Sequence, residues 1–130
     1  MFEEKEKVLE NAKIFAKRLY DLGAKKVELL DISKKNEEFL YMILSSSNSS
    51  VASHLLADEI KKFAEKKGVK IYKIDGEFKG EWIVFDFGWF VMHILVDSAR
   101  IKYNLDKFWK AGKNQIKFQP ASTSRSWLCK

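Results

Sequence analysis

The chain has a single cysteine, Cys129, close to its C-terminus, and only two histidines among 130 residues. One cysteine cannot form an internal disulfide, which fits a reducing compartment. With so few His and Cys, no cluster with metal-ligand spacing is available. Long apolar runs are also missing. The most apolar stretch, Trp82 to Val96, is interrupted by Asp86 and His93. It is shorter than the ~20 residues that a membrane-crossing helix needs. The opening residues, Met1-Phe2-Glu3-Glu4-Lys5-Glu6-Lys7, mix acids and bases. They suit neither a secretory signal nor an acid-poor transit peptide. The expected location is the cytoplasm.

What is present is a soluble globular composition: 46% hydrophobic and 32% charged residues with a formal charge of +6. A domain of this size buries roughly two-thirds of its unfolded surface and needs no staple. The length fits one domain. Basic excess suits work near nucleic acid, but it is concentrated late. From Lys107 on, the cations Lys107, Lys110, Lys113, Lys117, Arg125 and Lys130 meet no acid. The expected division is a domain over 1–111 and a loosely ordered basic tail over 112–130.

Periodicity gives the elements. Val8, Ala12, Phe15, Leu19 and Leu22 recur at helical steps, and Gly23 follows as a C-cap. Val27 to Asp31 reads as a strand. Phe39 to Leu44 reads as a central strand buried on both faces. Ser45 to Ser50 reads as a turn and N-cap for a helix from about Ser50 to Lys67, which Gly68 ends. Val69 to Ile74 is a third strand. Trp82–Phe87 and Phe90–Val96 read as a hairpin around Gly88-Trp89, with Gly first as in a type II′ turn. In that register Ile83, Phe85, Phe87, Phe90, Met92 and Ile94 share an apolar face. Trp82, Val84, Asp86, Val91, His93 and Leu95 share a mixed one. A short helix or pair of turns covers Ser98 to Trp109, with Ser98 as N-cap and Ile101, Leu105 and Phe108 as its apolar side. The fold class is a single α/β domain with a mixed sheet of about five strands and packed helices.

Three motifs bear on chemistry. Asp86 and His93 lie diagonally on one sheet face, so a metal or catalytic role is one reading, but further ligands are lacking. The plainer reading is hydrogen bonding within a partly covered face, and a third has them shaping a partner surface. Asp86-Phe87-Gly88 copies a kinase triplet without the Gly-rich and catalytic loops that give it meaning. Ser46 to Ser50 imitates a phosphate loop, yet no paired carboxylates follow on a strand to hold catalytic metals. No enzyme activity and no cofactor are expected. Among the aromatics, Trp89 stands out, because a turn tip is normally exposed.

The segment Asp75-Gly76, Trp82 to Gly88, Val91-Met92-His93-Ile94 and Arg100 to Trp109 resembles the ribosomal silencing factor (Iojap-like) family. That family has an acid-Gly turn, a Trp strand ending Asp-aromatic-Gly, a Val-x-His strand and an Arg-led segment ending Leu-Trp. Phe39 to Ser45, Asn48-Ser49 and Ala57-Asp58 resemble its earlier strand, turn and helix. The resemblance spans roughly Val27 to Trp109. It departs where Trp89 replaces an acid and Asp106 replaces Glu. It implies a nucleotidyltransferase-like sheet without enzyme activity. It also implies binding to the large ribosomal subunit through ribosomal protein L-fourteen, which blocks subunit joining and represses translation. The residues expected at the contact are Trp82, Asp86, Trp89, His93, Tyr103, Asp106 and Trp109. Contact of the basic tail with ribosomal RNA and formation of a homodimer are compatible with the sequence. The alternative is an RNA- or nucleotide-binding module serving ribosome assembly.

Overall fold

The computed structural model describes residues 2–118. Nine elements follow in order: α1 (Phe2–Asp21), β1 (Lys25–Asp31), β2 (Tyr41–Ser47), α2 (Ser50–Lys67), β3 (Lys73–Asp75), β4 (Trp82–Asp86), β5 (Phe90–Val96), α3 (Asp97–Tyr103) and α4 (Leu105–Trp109). The sheet order is β1-β2-β5-β4-β3. Among the described residues the β2–β5 pair alone is parallel, so the sheet is mixed, as expected.

The hairpin has the expected register: Trp82 faces Leu95, Val84 faces His93 and Asp86 faces Val91. The Phe87 amide donates to the Phe90 carbonyl at 3.0 Å and closes the turn. Gly88 has φ +94°, while Trp89 does not have a positive φ. That pairing fits a turn of type II′ and not type I′. The apolar face of the hairpin packs on α1 and α2. Phe15 joins them, its ring 4.8 Å from that of Phe87, 5.9 Å from Phe90 and 5.1 Å from Phe63 of α2. Tilted and edge contacts at these separations are favoured by the aromatic quadrupole.

α2 begins and ends where its capping residues place it. The Ser49 hydroxyl accepts from the Ala52 amide, and Gly68, at φ +69°, donates to the Ala64 and Glu65 carbonyls. The preceding serines differ from expectation. Ser45, Ser46 and Ser47 belong to β2 and are buried instead of forming a turn. Their hydroxyls make this tolerable, since a buried polar group must be hydrogen-bonded. Ser45 Oγ donates to the His93 carbonyl at 2.9 Å, Ser46 Oγ accepts from Arg100 at 3.1 Å, and Ser47 Oγ meets Ser53 Oγ at 2.6 Å.

Three other boundaries shift. β3 is only three residues long, although Tyr72 still donates to the Asp86 carbonyl. α3 starts at Asp97, and Ser98 is not its cap. Ile101 and Phe108 are exposed, and the inward side of α3–α4 is carried by Ala99, Arg100, Leu105 and Trp109. The described part of the segment after α4, through residue 118, runs along β1. Asp31 donates to the Asn114 carbonyl (2.9 Å), Ile116 donates to the Leu29 carbonyl (2.7 Å), and Ile116 and Phe118 pack on the core. Residues 119–130, with Arg125 and Trp127, lie outside the described residues.

Candidate partner-binding face

The second face of the sheet is half covered. α4 lays Leu105 and Trp109 over Leu30, Ile32, Met42, Leu44 and Val91. Beside this cover runs an open groove of about 360 Å³. Ile32, Met42, Val84, Val91 and His93 line it with apolar surface and one imidazole, and Phe39 and Trp109 add aromatic surface. Its polar lining is acidic: Glu38, Asp75 and Asp86 against Lys73 alone, with Asn36 neutral. Lys73 and Asp75 lie 3.5 Å apart, which leaves two carboxylates without a cationic partner in the lining. An acidic groove on a chain of net charge +6 is a local reversal of sign.

The seven expected contact residues divide by environment. Trp89 is 56% exposed at the hairpin tip. Its carbonyl accepts from the Leu40 amide at 2.7 Å, which ties the tip to the segment carrying Glu38 and Phe39. Asp86 is half-buried; its Oδ1 accepts from the Gly88 amide at 2.8 Å, so one oxygen shapes the turn. Trp109 is half-buried in the wall of the groove. Tyr103 is exposed and its ring lies 4.7 Å from that of Trp82.

His93 is buried, with only 8% of its surface accessible. Trp82 Nε1 donates to His93 Nδ1 at 2.9 Å. Burial, followed by the nearby positive charge of Arg100, lowers the His93 pKa to about 4. Desolvation disfavours the imidazolium and a neighbouring cation adds to the effect. The ring is therefore neutral at pH 7. With Nδ1 accepting, its proton sits on Nε2.

Asp106 faces inward as well. Its two oxygens accept from Arg100 Nε (2.6 Å) and Nη2 (2.8 Å), a bidentate clamp. The hydrogen bond from Arg100 is the main cause that holds the Asp106 carboxyl below its ordinary pKa. Arg100 Nη1 donates to Ser46 Oγ and to the Lys26 carbonyl, each at 3.1 Å. Lys26 has φ +48° and sits where the β1–β2 register shifts, so the bulge turns its carbonyl to this guanidinium. Arg100 thus ties α3, α4, β1 and β2 behind the groove. Composition and periodicity give no sign of this; an arginine is rarely buried, and only a carboxylate six residues on hints at a clamp. The acidic lining from Glu38 and Asp75 was likewise not expected from the sequence, because strand pairing brings these distant residues together. Among the described residues, no group of three His, Cys, Asp or Glu side chains is gathered as a metal site, and no helix is long and apolar enough to cross a membrane.

The fold and groove together define a small single-domain α/β protein with one sheet face left half open. Comparison with known proteins makes this specific. A family model described as "Ribosomal silencing factor during starvation" matches residues 5–127. A ribosomal silencing factor from Chromobacterium violaceum is 28% identical over 106 residues, covering 82% of this chain and 87% of that protein. One from Bacillus subtilis is 30% identical over 97 residues, covering 75% and 82%. A crystal structure of a Chromobacterium violaceum protein superposes with a TM-score of 0.73 at 26% identity, covering 86% of this chain and 94% of the other. The chain belongs to the ribosomal silencing factor family.

Proposed function

We propose that this chain binds the large ribosomal subunit through ribosomal protein L-fourteen, blocks subunit joining by occlusion and so represses translation. The observation that carries the reading is the groove: apolar in its floor, aromatic in its wall, and acidic on a basic chain. Such a surface is complementary to a basic protein and repels a phosphate backbone. A standard interface of ~1,600 Å² extends well past the groove. It therefore takes in the Trp89 tip on one side and the Trp82–Tyr103 pair on the other. Asp86, Trp89, Tyr103 and Trp109 make the contact in this account, and Trp82, His93 and Asp106 hold those residues in position. The role is regulatory, without catalysis or cofactor, in keeping with relatives that are named as silencing factors. It is carried out in the cytoplasm, where subunits join.

Co-sedimentation with isolated subunits, followed by a subunit-joining assay, tests this. The protein is expected to pellet with large subunits and to inhibit joining in proportion to its occupancy. Pelleting with small subunits alone, or with neither, defeats the reading. The RNA- or nucleotide-binding alternative has no support from this groove, since its acidic lining opposes phosphate.

A further inference from the structure

Beside the acidic groove lies a pocket of opposite sign. It has a volume of about 340 Å³ and is lined by Lys34, Lys35 and Lys113 against one carboxylate, Asp31. We propose that this pocket binds the phosphate backbone of ribosomal RNA next to the protein contact. The inference rests on the proposed function, because it concerns what a large-subunit binder meets beside its protein partner.

Four observations carry it. First, the one carboxylate is outnumbered by three lysines, and its Oδ1 is occupied by the Ser33 amide (3.0 Å) and hydroxyl (2.6 Å). Second, Lys34 and Lys113 are exposed and make no ion pair among the described residues. Lys25, Lys61 and Lys110 elsewhere are neutralised by Asp97, Glu77 and Glu28. Third, the walls are fixed. Lys35 Nζ donates to the Phe108 carbonyl at 2.7 Å. Asn114 Nδ2 donates to the carbonyls of Asp31 (3.2 Å) and Trp109 (2.8 Å), and its Oδ1 accepts from the Ala111 amide (3.0 Å). The cationic strap is thereby held on the outer edge of β1. Fourth, a single loop serves both sites: Lys34 and Lys35 line the pocket, while Ile32, Asn36 and Phe39 line the groove. Neighbouring surfaces of opposite charge match a place where ribosomal protein and RNA adjoin. Phosphate contacts require only cations within reach of the backbone, and Lys117, also exposed, continues the strap.

The test uses the full chain and its Lys34→Gln/Lys113→Gln variant. Affinity is measured across a KCl series for protein-stripped large-subunit RNA, for purified ribosomal protein L-fourteen and for polyglutamate. Each lost phosphate contact lowers the slope of log K against log [salt] by about 0.7–0.9, so the variant's slope on RNA should fall by about 1.5. Its affinity for the ribosomal protein should stay within about twofold. Lys34→Arg/Lys113→Arg should keep the wild-type slope. An unchanged slope in the Gln variant, no RNA binding by the wild type, or equal affinity for polyglutamate would overturn the proposal. Lysine-dependent RNA binding by a chain that ignores both the ribosomal protein and large subunits would support the pocket and sink the proposed function instead.

Discussion

Trp82 Nε1 donates a 2.9 Å hydrogen bond to His93 Nδ1, and this bond requires the imidazole to be unprotonated at that nitrogen. The pair lies on the groove's own face, where His93 lines the floor and the Trp82 ring supports Tyr103 beside it.

A pH dependence follows. The folded pKa of His93 is about 4, below its ordinary 6.5, so between those values the unfolded chain binds the extra proton. Stability therefore rises with pH through that window. The contribution of His93 is complete above about pH 6.5 and is lost as pH falls toward 4. At 1.36 kcal/mol per unit the loss reaches about 3 kcal/mol. Denaturant unfolding at a series of pH values should show His93→Gln losing less stability than wild type between pH 6.5 and 4. Parallel curves would contradict the buried, neutral imidazole.

The Arg100–Asp106 clamp makes a second prediction. Arg100 is only 6% exposed, so Asp106→Ala leaves a buried guanidinium short of its charge partner. Breaking a buried pair costs about 3–5 kcal/mol, and partial exposure of Asp106 puts the expected loss nearer the lower figure. Because the Asp106 pKa is depressed, the clamp's contribution persists at neutral pH and fades only as pH falls below the ordinary carboxylate range. Chemical denaturation of Asp106→Ala at pH 7 should show the loss; a change under about 1 kcal/mol would mark the clamp as incidental.

Trp89 separates binding from folding. At 56% exposure, with its backbone rather than its ring making the tether to Leu40, Trp89→Ala should leave the melting temperature nearly unchanged. Surface changes of this kind usually stay within about 0.5 kcal/mol. Affinity for large subunits should fall tenfold or more, since tryptophan hot spots cost about 2 kcal/mol or more on truncation. A large drop in melting temperature with unchanged binding would reverse the assignment.

The hairpin and α2 were readable in the sequence because local signals agree there. Gly88 sets the turn, period-two alternation sets the faces, and Ser49 and Gly68 mark the helix ends. The serines of β2 have the composition of a turn but lie in a buried strand. Two long-range partners, His93 and Arg100, and one nearby partner in α2, Ser53, make them acceptable in a buried strand. The same limit hid the inward roles of His93 and Asp106, whose partners are set by tertiary packing. The inward turn of Trp109, in place of Phe108, depends on the second helical turn restarting at Asn104, where φ is +44°. A continuous helical period across Ser98 to Trp109 does not carry that break.

In the proposed function the acidic groove receives the ribosomal protein through complementary charge. Glu38 and Asp75 line it, and both are exposed. Among the described residues Asp75 pairs with its neighbour Lys73 alone, so its side chain holds no other element in place. Glu38→Lys/Asp75→Lys therefore reverses the sign of the groove without disturbing the core. Calorimetric titration against purified ribosomal protein L-fourteen should show wild-type binding that weakens at least tenfold in this variant, at equal thermal stability. Equal affinity in the two proteins, or no binding by the wild type, would contradict the account.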